Sequence, residues 1–149
     1  MTSEDGAPVE VHSLLVCRGV SESQGHVNVQ GILEIIPVAA FPGDAGPVSF
    51  VAFVRANRAG EAAVSFRIHP LEKPDMTVAE FPGRLAVAKG YEGRQTVVRV
   101  ELKTLKVNAG GWFGIEFRLG DQVLAKNRFL IGAVTKGPAA PAPAGKAAP

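Results

Sequence analysis

The chain has 149 residues, of which 46% are hydrophobic and 20% charged, a balance typical of one folded domain with an apolar core. Its net charge of +2 comes from basic residues scattered along the chain, which argues against nucleic acid or an anionic membrane as the partner. The single cysteine excludes an intramolecular disulfide, and no apolar stretch approaches the roughly 20 residues of a membrane helix.

The two ends of the chain differ in composition from its middle. Residues 1–8 are short and polar, with acidic residues where a signal peptide has basic ones, so we expect a cytoplasmic protein. Residues 135–149 are rich in proline and alanine and offer nothing to bury, which is typical of a solvated spacer, with a proline-rich ligand as the alternative. The sequence therefore predicts disordered segments over 1–8 and 135–149, and one domain over 9–134.

The first half of that domain alternates between apolar and polar residues, as strands do. Two extended runs, 9–20 and 26–36, are predicted to form a hairpin across the loop 21–25. Residues 48–55 and 62–70 are predicted to form a second pair of strands.

The second half continues the alternation. Short strands are predicted at 76–81 and 84–88, unless the two are one strand, and a longer strand at 94–103. Phe113, Ile115, Phe117 and Leu119 form an inward stripe before the two-residue turn signal Gly120–Asp121. Because the apolar residues after position 127 have the opposite parity to Leu124, we expect a β-bulge at 125–127.

Eight or nine short strands with frequent turns predict an all-β fold, a two-layer antiparallel sandwich of immunoglobulin-like type. A jelly roll or a partly open barrel is the alternative. Three segments, 13–17 (SLLVC), 25–32 (GHVNVQGI) and the glycine-led hairpin from Gly110, resemble a family of small bacterial proteins known as a domain of unknown function. The resemblance implies a bacterial cytoplasmic origin and a β-sandwich, and it supplies no catalytic residues.

Residues suited to chemistry are few and scattered. His12, His26 and His69 lack the spacing of zinc ligands, and Cys17 lies in a strand, where we expect a buried apolar thiol. The chain has no phosphate-binding glycine motif and no aspartate-rich calcium loop. We therefore expect no catalytic residues, no cofactor and no metal, and a protein that is not an enzyme.

Three side chains are predicted to contact a partner. Residues 48–54 are apolar on both faces, so Val51 and Phe53 face outward, where either the chain's own loops or another subunit covers them. Trp112 is out of phase with the inward stripe and is a candidate anchor for a partner, unless it packs over one end of the sandwich.

Two further side chains lie in loops, which often carry binding residues on a rigid sandwich. Phe41 belongs to loop 37–47 and Tyr91 to loop 89–93. The two loops share one end of the sandwich if 76–88 forms two strands, and lie at opposite ends if it forms one. We take Phe41 and Tyr91 as a candidate contact pair, with capping of the core by Phe41 as the alternative.

The first hypothesis for function is a non-enzymatic protein-interaction or assembly module that self-associates through a sheet face or edge. The second is a small-ligand-binding sandwich that uses the loops at one end. A hydrolase is the third, and it requires His69 or His26 within hydrogen-bonding reach of a serine and an aspartate.

Overall fold

The computed structural model describes residues 9–133, and within this range every regular element is a β-strand. The predicted terminal segments 1–8 and 135–149 lie outside the described residues. The strands are β1 (Val9–Ser23), β2 (His26–Ile32), β3 (Ile35–Val38), β4 (Gly43–Ala45), β5 (Val48–Ala56), β6 (Gly60–Pro70), β7 (Ala79–Val87), β8 (Gln95–Leu102), β9 (Leu105–Val107), β10 (Gly111–Leu119) and β11 (Gln122–Ala133).

The strands form two large sheets and one small one. One large sheet has four strands in the order β2-β1-β5-β8, and the other has five in the order β3-β11-β10-β6-β7. Strands β4 and β9 form a separate two-stranded sheet. Neighbouring strands are antiparallel except for β3 and β11, which are parallel. This arrangement confirms the predicted all-β, two-layer sandwich of immunoglobulin-like type.

Phenylalanine rings join the two sheets across the core. Phe50 of the four-stranded sheet lies 6.0 Å, centroid to centroid, from both Phe81 and Phe129 of the five-stranded sheet. Phe66 and Phe117, from neighbouring strands of the five-stranded sheet, lie 5.1 Å apart. Phe50, Phe66, Phe117 and Phe129 are fully buried, so the alternation read from the sequence identifies the inner faces.

The chain changes sheets between β2 and β3. Leu33 N donates to Val16 O of the four-stranded sheet, and Leu130 N of the five-stranded sheet donates to Glu34 O. The side chain of Asn127 adds a bond from Nδ2 to Leu14 O, 2.7 Å away, at the same margin of the sandwich. The predicted single run 26–36 is therefore two strands that belong to different sheets.

The predicted pairing of 48–55 with 62–70 is wrong. Strand β5 pairs with β1 and β8, whereas β6 pairs with β7 and β10, so the connection 57–59 crosses from one sheet to the other. Both strands are long and apolar. The alternation of their residues is the same whether the two strands form a hairpin within one sheet or cross between two sheets.

The predicted turn and bulge in the last hairpin are present. Gly120 has a positive φ of 59°, and Leu119 pairs with Gln122 across the two-residue turn. The register then shifts at Leu124, one residue before the predicted segment 125–127. Because of this shift Phe129 pairs with Phe113, and both rings face the core.

Residues 79–87 form one strand, β7, where two strands had been predicted as the first possibility. Pro82 does not interrupt it, because β7 is the edge of its sheet and a proline there need not donate to a neighbour. Since the strand does not reverse, the loop 89–93 lies at the opposite end of the sandwich from the loop 37–47. Gly93 N donates to Ala56 O at that far end.

Candidate functional site

Strand β5 is apolar on both faces, as the sequence indicated. Val48, Phe50, Ala52 and Val54 face the core, while Val51 faces outward and is nevertheless fully buried. Its neighbour on the same face, Phe53, is half-buried.

The cover over this outer face is the chain's own β1–β2 hairpin. Leu15 lies beside Val51, which in turn lies beside Arg99. A straight β1 would carry Glu22 about 23 Å past Leu15 at roughly 3.3 Å per residue. Arg99 Nη1 nevertheless donates to Glu22 Oε2 at 3.1 Å, so the hairpin bends back over the outer face.

The bend in the hairpin is at Arg18. Its guanidinium donates to the carbonyls of Gly46 and Pro47, and Gly31, opposite it, has a positive φ of 64°. A Cβ at Gly31 would lie 2.8 Å from Arg18 Cγ, so the close approach requires glycine. Val51, which was predicted as an interface residue, has no surface left for a partner.

Phe41 and Tyr91 do not form a contact pair, which corrects the prediction. Phe41 packs against the core from the end that holds Gly110, where an added Cβ would lie 2.9 Å from the ring. Tyr91 lies at the other end, exposed, with the guanidinium of Arg94 5.3 Å from its ring centroid.

Trp112 lies on the outer face of the five-stranded sheet, in β10, rather than at a sheet edge. It pairs with Leu130, which pairs with Ile35, and Leu71 N donates to Trp112 O on its other side. We name these four residues, Leu71, Trp112, Leu130 and Ile35, the apolar row. Trp112 is 40% exposed and Ile35 51%, so the row presents a contiguous apolar strip to solvent.

Positive charges border the apolar row. The guanidinium of Arg128 lies 5.1 Å from the Trp112 ring centroid, a distance at which a cation and an aromatic face attract each other. Lys126, two residues earlier on β11, is exposed and lies opposite Glu116.

A buried polar cluster lies farther along the same face. All three nitrogens of the Arg67 guanidinium donate: Nη1 to Glu116 Oε1 at 3.2 Å, Nε to Thr77 Oγ1 at 2.7 Å and Nη2 to Pro74 O at 2.6 Å. The last two bonds hold loop 71–78 against the sheet. A buried charge needs such partners, so we interpret the cluster as the anchor of this loop.

His69 also belongs to this cluster, and its ring occupies the space left by the missing side chain of Gly114 in β10. An added Cβ at Gly114 would lie 2.6 Å from the imidazole, so the ring lies across the glycine. Its Nδ1 lies 2.7 Å from the carbonyl oxygen of Pro70 and therefore donates to it, while Nε2 lies 3.6 Å from Glu116 Oε2. This burial could not be predicted from the alternation, because His69 and Arg67 lie at outward positions and the loop that covers them is not part of that pattern.

Two cavities flank loop 71–78. One is an open cleft of about 400 Å³ on the outer face, lined by His69, Leu71, Glu116, Lys126 and Arg128 among others. The second, which we name the end groove, is about 390 Å³ and lies at the end of the sandwich, between loop 71–78 and β9. Its lining is mostly apolar, and neither cavity was predicted from the sequence.

Among residues 9–133, no group of three or more His, Cys, Asp or Glu side chains is placed to hold a metal ion. Burial raises the pKa of the Cys17 thiol above its ordinary value of 9.0, and the charge of Glu101 adds to the rise, while a hydrogen bond with the Gly19 backbone opposes it. A raised pKa keeps the thiol protonated and weakens it as a nucleophile. The same range contains no helix long and apolar enough to cross a membrane.

Comparison with known proteins identifies the family. Residues 12–132 match the sequence profile of DUF6941, a family of unknown function. The chain belongs to this family. The match covers nearly the whole described domain and confirms the resemblance drawn from the short motifs. No curated protein is significantly similar to the chain in sequence.

Solved structures share the fold with the DUF6941 chain at low sequence identity. The alkylpurine DNA glycosylase AlkC from Pseudomonas fluorescens, bound to DNA with an abasic site analogue, is 14% identical with a TM-score of 0.52; the match covers 85% of this chain and 31% of the glycosylase. An immunoglobulin-like protein from Pseudomonas aeruginosa is 19% identical with a TM-score of 0.45, over 85% of this chain and 98% of that one. These likenesses concern the fold alone.

Proposed function

We propose that this DUF6941 chain is a non-enzymatic protein-interaction module that docks its partner on the outer face of the five-stranded sheet. The observation that carries the proposal is the apolar row, which leaves Trp112, Ile35 and Leu71 exposed side by side. Exposed apolar strips of this kind are typical of interaction sites, and tryptophan is enriched among the residues that dominate binding energy.

The two basic residues beside Trp112 favour an acidic partner. Glu116 is buried and forms an ion pair with Arg67, so it would repel an acidic binding partner only weakly. Arg128 and Lys126 remain at the surface next to Trp112. A partner with apolar anchors and nearby carboxylates would be complementary in shape and charge.

Self-association remains a prediction, and the geometry no longer favours the face proposed from the sequence. Val51 is covered by the chain's own hairpin. Two copies that met through the apolar row about a twofold axis would bring Arg128 and Lys126 of one copy close to the same residues of the other. Like charges in contact oppose such an arrangement.

A non-enzymatic role is supported by the structural contacts of the side chains that could take part in catalysis. The hydrolase hypothesis required His69 or His26 within hydrogen-bonding reach of a serine and an aspartate, whereas the two ring nitrogens of His69 face Pro70 O and Glu116. The cellular setting we propose is the bacterial cytoplasm, in keeping with a single cysteine that is buried and kept protonated.

A second candidate function, a small-ligand-binding sandwich, is favoured by the end groove. Its volume of about 390 Å³ is within the 300–1,000 Å³ range of ligand pockets, and its lining is mostly apolar, as in such pockets. Phe41 and Tyr91, the loop residues predicted to contact a ligand, do not line this groove.

The interaction proposal is tested by selecting binders from a random peptide display library on the immobilised full chain. We expect enriched peptides that combine aspartate or glutamate with large apolar residues. Trp112→Ser should abolish the binding of these peptides, and Arg128→Glu should weaken it at least about tenfold by charge reversal.

The matched control is Tyr91→Ser, because Tyr91 is also an exposed aromatic residue under an arginine, at the opposite end of the sandwich. It should leave binding unchanged. Enrichment of basic peptides, or binding that survives Trp112→Ser but not Tyr91→Ser, would overturn the proposed surface.

A further inference from the structure

We infer that the end groove binds an aliphatic carboxylate, with the hydrocarbon inside the groove and the carboxylate at Lys106. The inference rests on the second candidate function and names the ligand class for it. It is independent of the apolar row, which lies on the outer face of the sheet.

The floor of the groove is part of the core. Ile68, Phe129 and Ile131 line it, and these core residues are at most 3% exposed. The rim is apolar and open: Met76 is 51% exposed and Val78 53%. A hydrocarbon chain placed there would cover both rim side chains and remove their apolar surface from water, which stabilises an apolar ligand.

The walls of the groove are held apart by separate parts of the fold. Loop 71–78 forms one wall and is fixed by Arg67, which donates to Thr77 and Pro74, and by the bond from Val78 N to Ile68 O at 2.8 Å. The other wall is β9, which pairs with β4 in its own small sheet. Because each wall is bonded away from the groove, the cavity is preformed and binding requires little ordering of the chain.

The polar groups of the groove select the head group. Lys106 and Asn108 are exposed residues of the β9 wall that line the cavity. Asp44 lies opposite Lys106 in the β4–β9 ladder, yet among residues 9–133 no carboxylate comes within ion-pair distance of the Lys106 amine. Lys106 alternates with the core-facing Leu105 and Val107, and its long, exposed side chain can reach round to the mouth of the groove, where the ammonium and the Asn108 amide would complement a carboxylate on an aliphatic chain.

The test uses decanoate as the probe, below its micelle concentration, with decanol and decylamine as head-group comparisons and acetate as the comparison without a chain. Binding is followed by isothermal titration calorimetry and by the methyl resonance of Met76, assigned through Met76→Leu. We expect decanoate to bind most tightly and to shift the Met76 signal. Acetate should leave that signal unchanged.

Two variants locate the ligand. Lys106→Gln should weaken decanoate about fivefold, as expected for loss of an exposed ion pair, and leave decanol unchanged. Ala109→Phe, at an exposed position that lines the groove, should block both compounds. The matched control for Lys106 is Lys103→Gln, an exposed lysine between β8 and β9 that should change neither affinity.

The outcomes separate the two levels of the proposal. Equal binding of decanol and decanoate, with Lys106→Gln without effect, would overturn the carboxylate inference and leave an apolar groove that binds ligands. Preference for decylamine would also overturn it. Absence of binding by all the chain compounds, or binding that Ala109→Phe does not affect, would overturn the ligand-binding function of the groove as well.

Discussion

The outer face of the four-stranded sheet is covered around Val51 by the chain's own β1–β2 hairpin, whereas the outer face of the five-stranded sheet leaves the apolar row exposed. Val51 and Trp112 occupy comparable outward positions on central strands, yet one is fully buried and the other 40% exposed. Apolar side chains on an outer face therefore do not by themselves mark an interface. What matters is whether another part of the same chain covers them.

The largest expected effect is a charge placed on the covered face. Val51→Asp puts a carboxylate beneath the hairpin without a partner and should lower the free energy of unfolding by about 3 kcal/mol or more. Trp112→Asp places the same charge on the open face, where water solvates it, and should cost about 1–2 kcal/mol through lost packing of the ring. Urea denaturation of the two variants measures the difference, and equal losses would show that the two faces are equally covered.

The next prediction concerns the buried pair that holds loop 71–78. Glu116→Leu leaves the Arg67 guanidinium buried without its carboxylate and should cost about 3 kcal/mol. The control is Glu61→Leu, which removes the exposed carboxylate bonded to Arg84 and should cost about 0.5 kcal/mol.

Hydrogen exchange adds a local readout to that comparison. Because Arg67 also bonds to Pro74 and Thr77, we expect Glu116→Leu to speed exchange of the amides in loop 71–78 more than elsewhere on the sheet. A loop that exchanges at the wild-type rate would mean that the cluster does not anchor it.

Gly114→Ala should be moderately destabilising. The added methyl would lie 2.6 Å from the His69 ring and force it off the strand, which costs about 1–3 kcal/mol in a packed site. Gly83→Ala on edge strand β7 is the matched control, since its nearest neighbour would be 3.9 Å away, and it should be neutral or slightly stabilising. Thermal unfolding of the pair decides whether the His69 ring occupies this gap.

The smallest effect is expected at the hairpin's anchor. Arg99→Gln removes the partly exposed ion pairs with Glu22 and Glu101 and should cost about 1 kcal/mol. It should also speed the reaction of Cys17 with a thiol reagent, because the hairpin opens more often. An unchanged labelling rate would indicate that the Arg99–Glu22 pair does not hold the hairpin in place.

Cys17 also gives the covered face a pH dependence. Its pKa is raised in the folded protein, so the unfolded chain loses the thiol proton first as pH rises. The contribution of Cys17 to stability is therefore complete below pH 9 and declines above it. Wild type should lose more stability than Cys17→Ala over that range, and parallel pH profiles would contradict the burial of this thiol.

The sequence was sufficient for the class of fold and for most inward-facing residues. Alternation identified the inward-facing stripe from Phe113 to Leu119. Because Leu124 and the later apolar residues of β11 fall on opposite faces of a regular strand, a bulge was required, and it lies one residue from the predicted position. These features depend on short-range geometry, in which successive side chains of a strand point to opposite sides. They could therefore be read without knowing the neighbouring strands.

The candidate surfaces were harder to predict because they depend on contacts remote in sequence. Nothing near Val51 indicates that Glu22 will bond to Arg99 and place a hairpin above it. The burial of Arg67 and His69 depends on loop 71–78 and on the missing side chain of Gly114. Trp112 was recognised because it is out of phase with the inward-facing stripe of β10. Its neighbours in the apolar row come from β3, from β11 and from the residue that follows β6. Alternation does not encode the strand order that brings them together.

The most direct test of the open face is an NMR titration of the isotope-labelled chain with a selected acidic peptide. The account predicts shifts at the Trp112 indole and at the amides of Ile35, Leu130 and Arg128, with Phe53 and Val97 unaffected. Shifts concentrated at Phe53 and Val97, or around Tyr91, would contradict it.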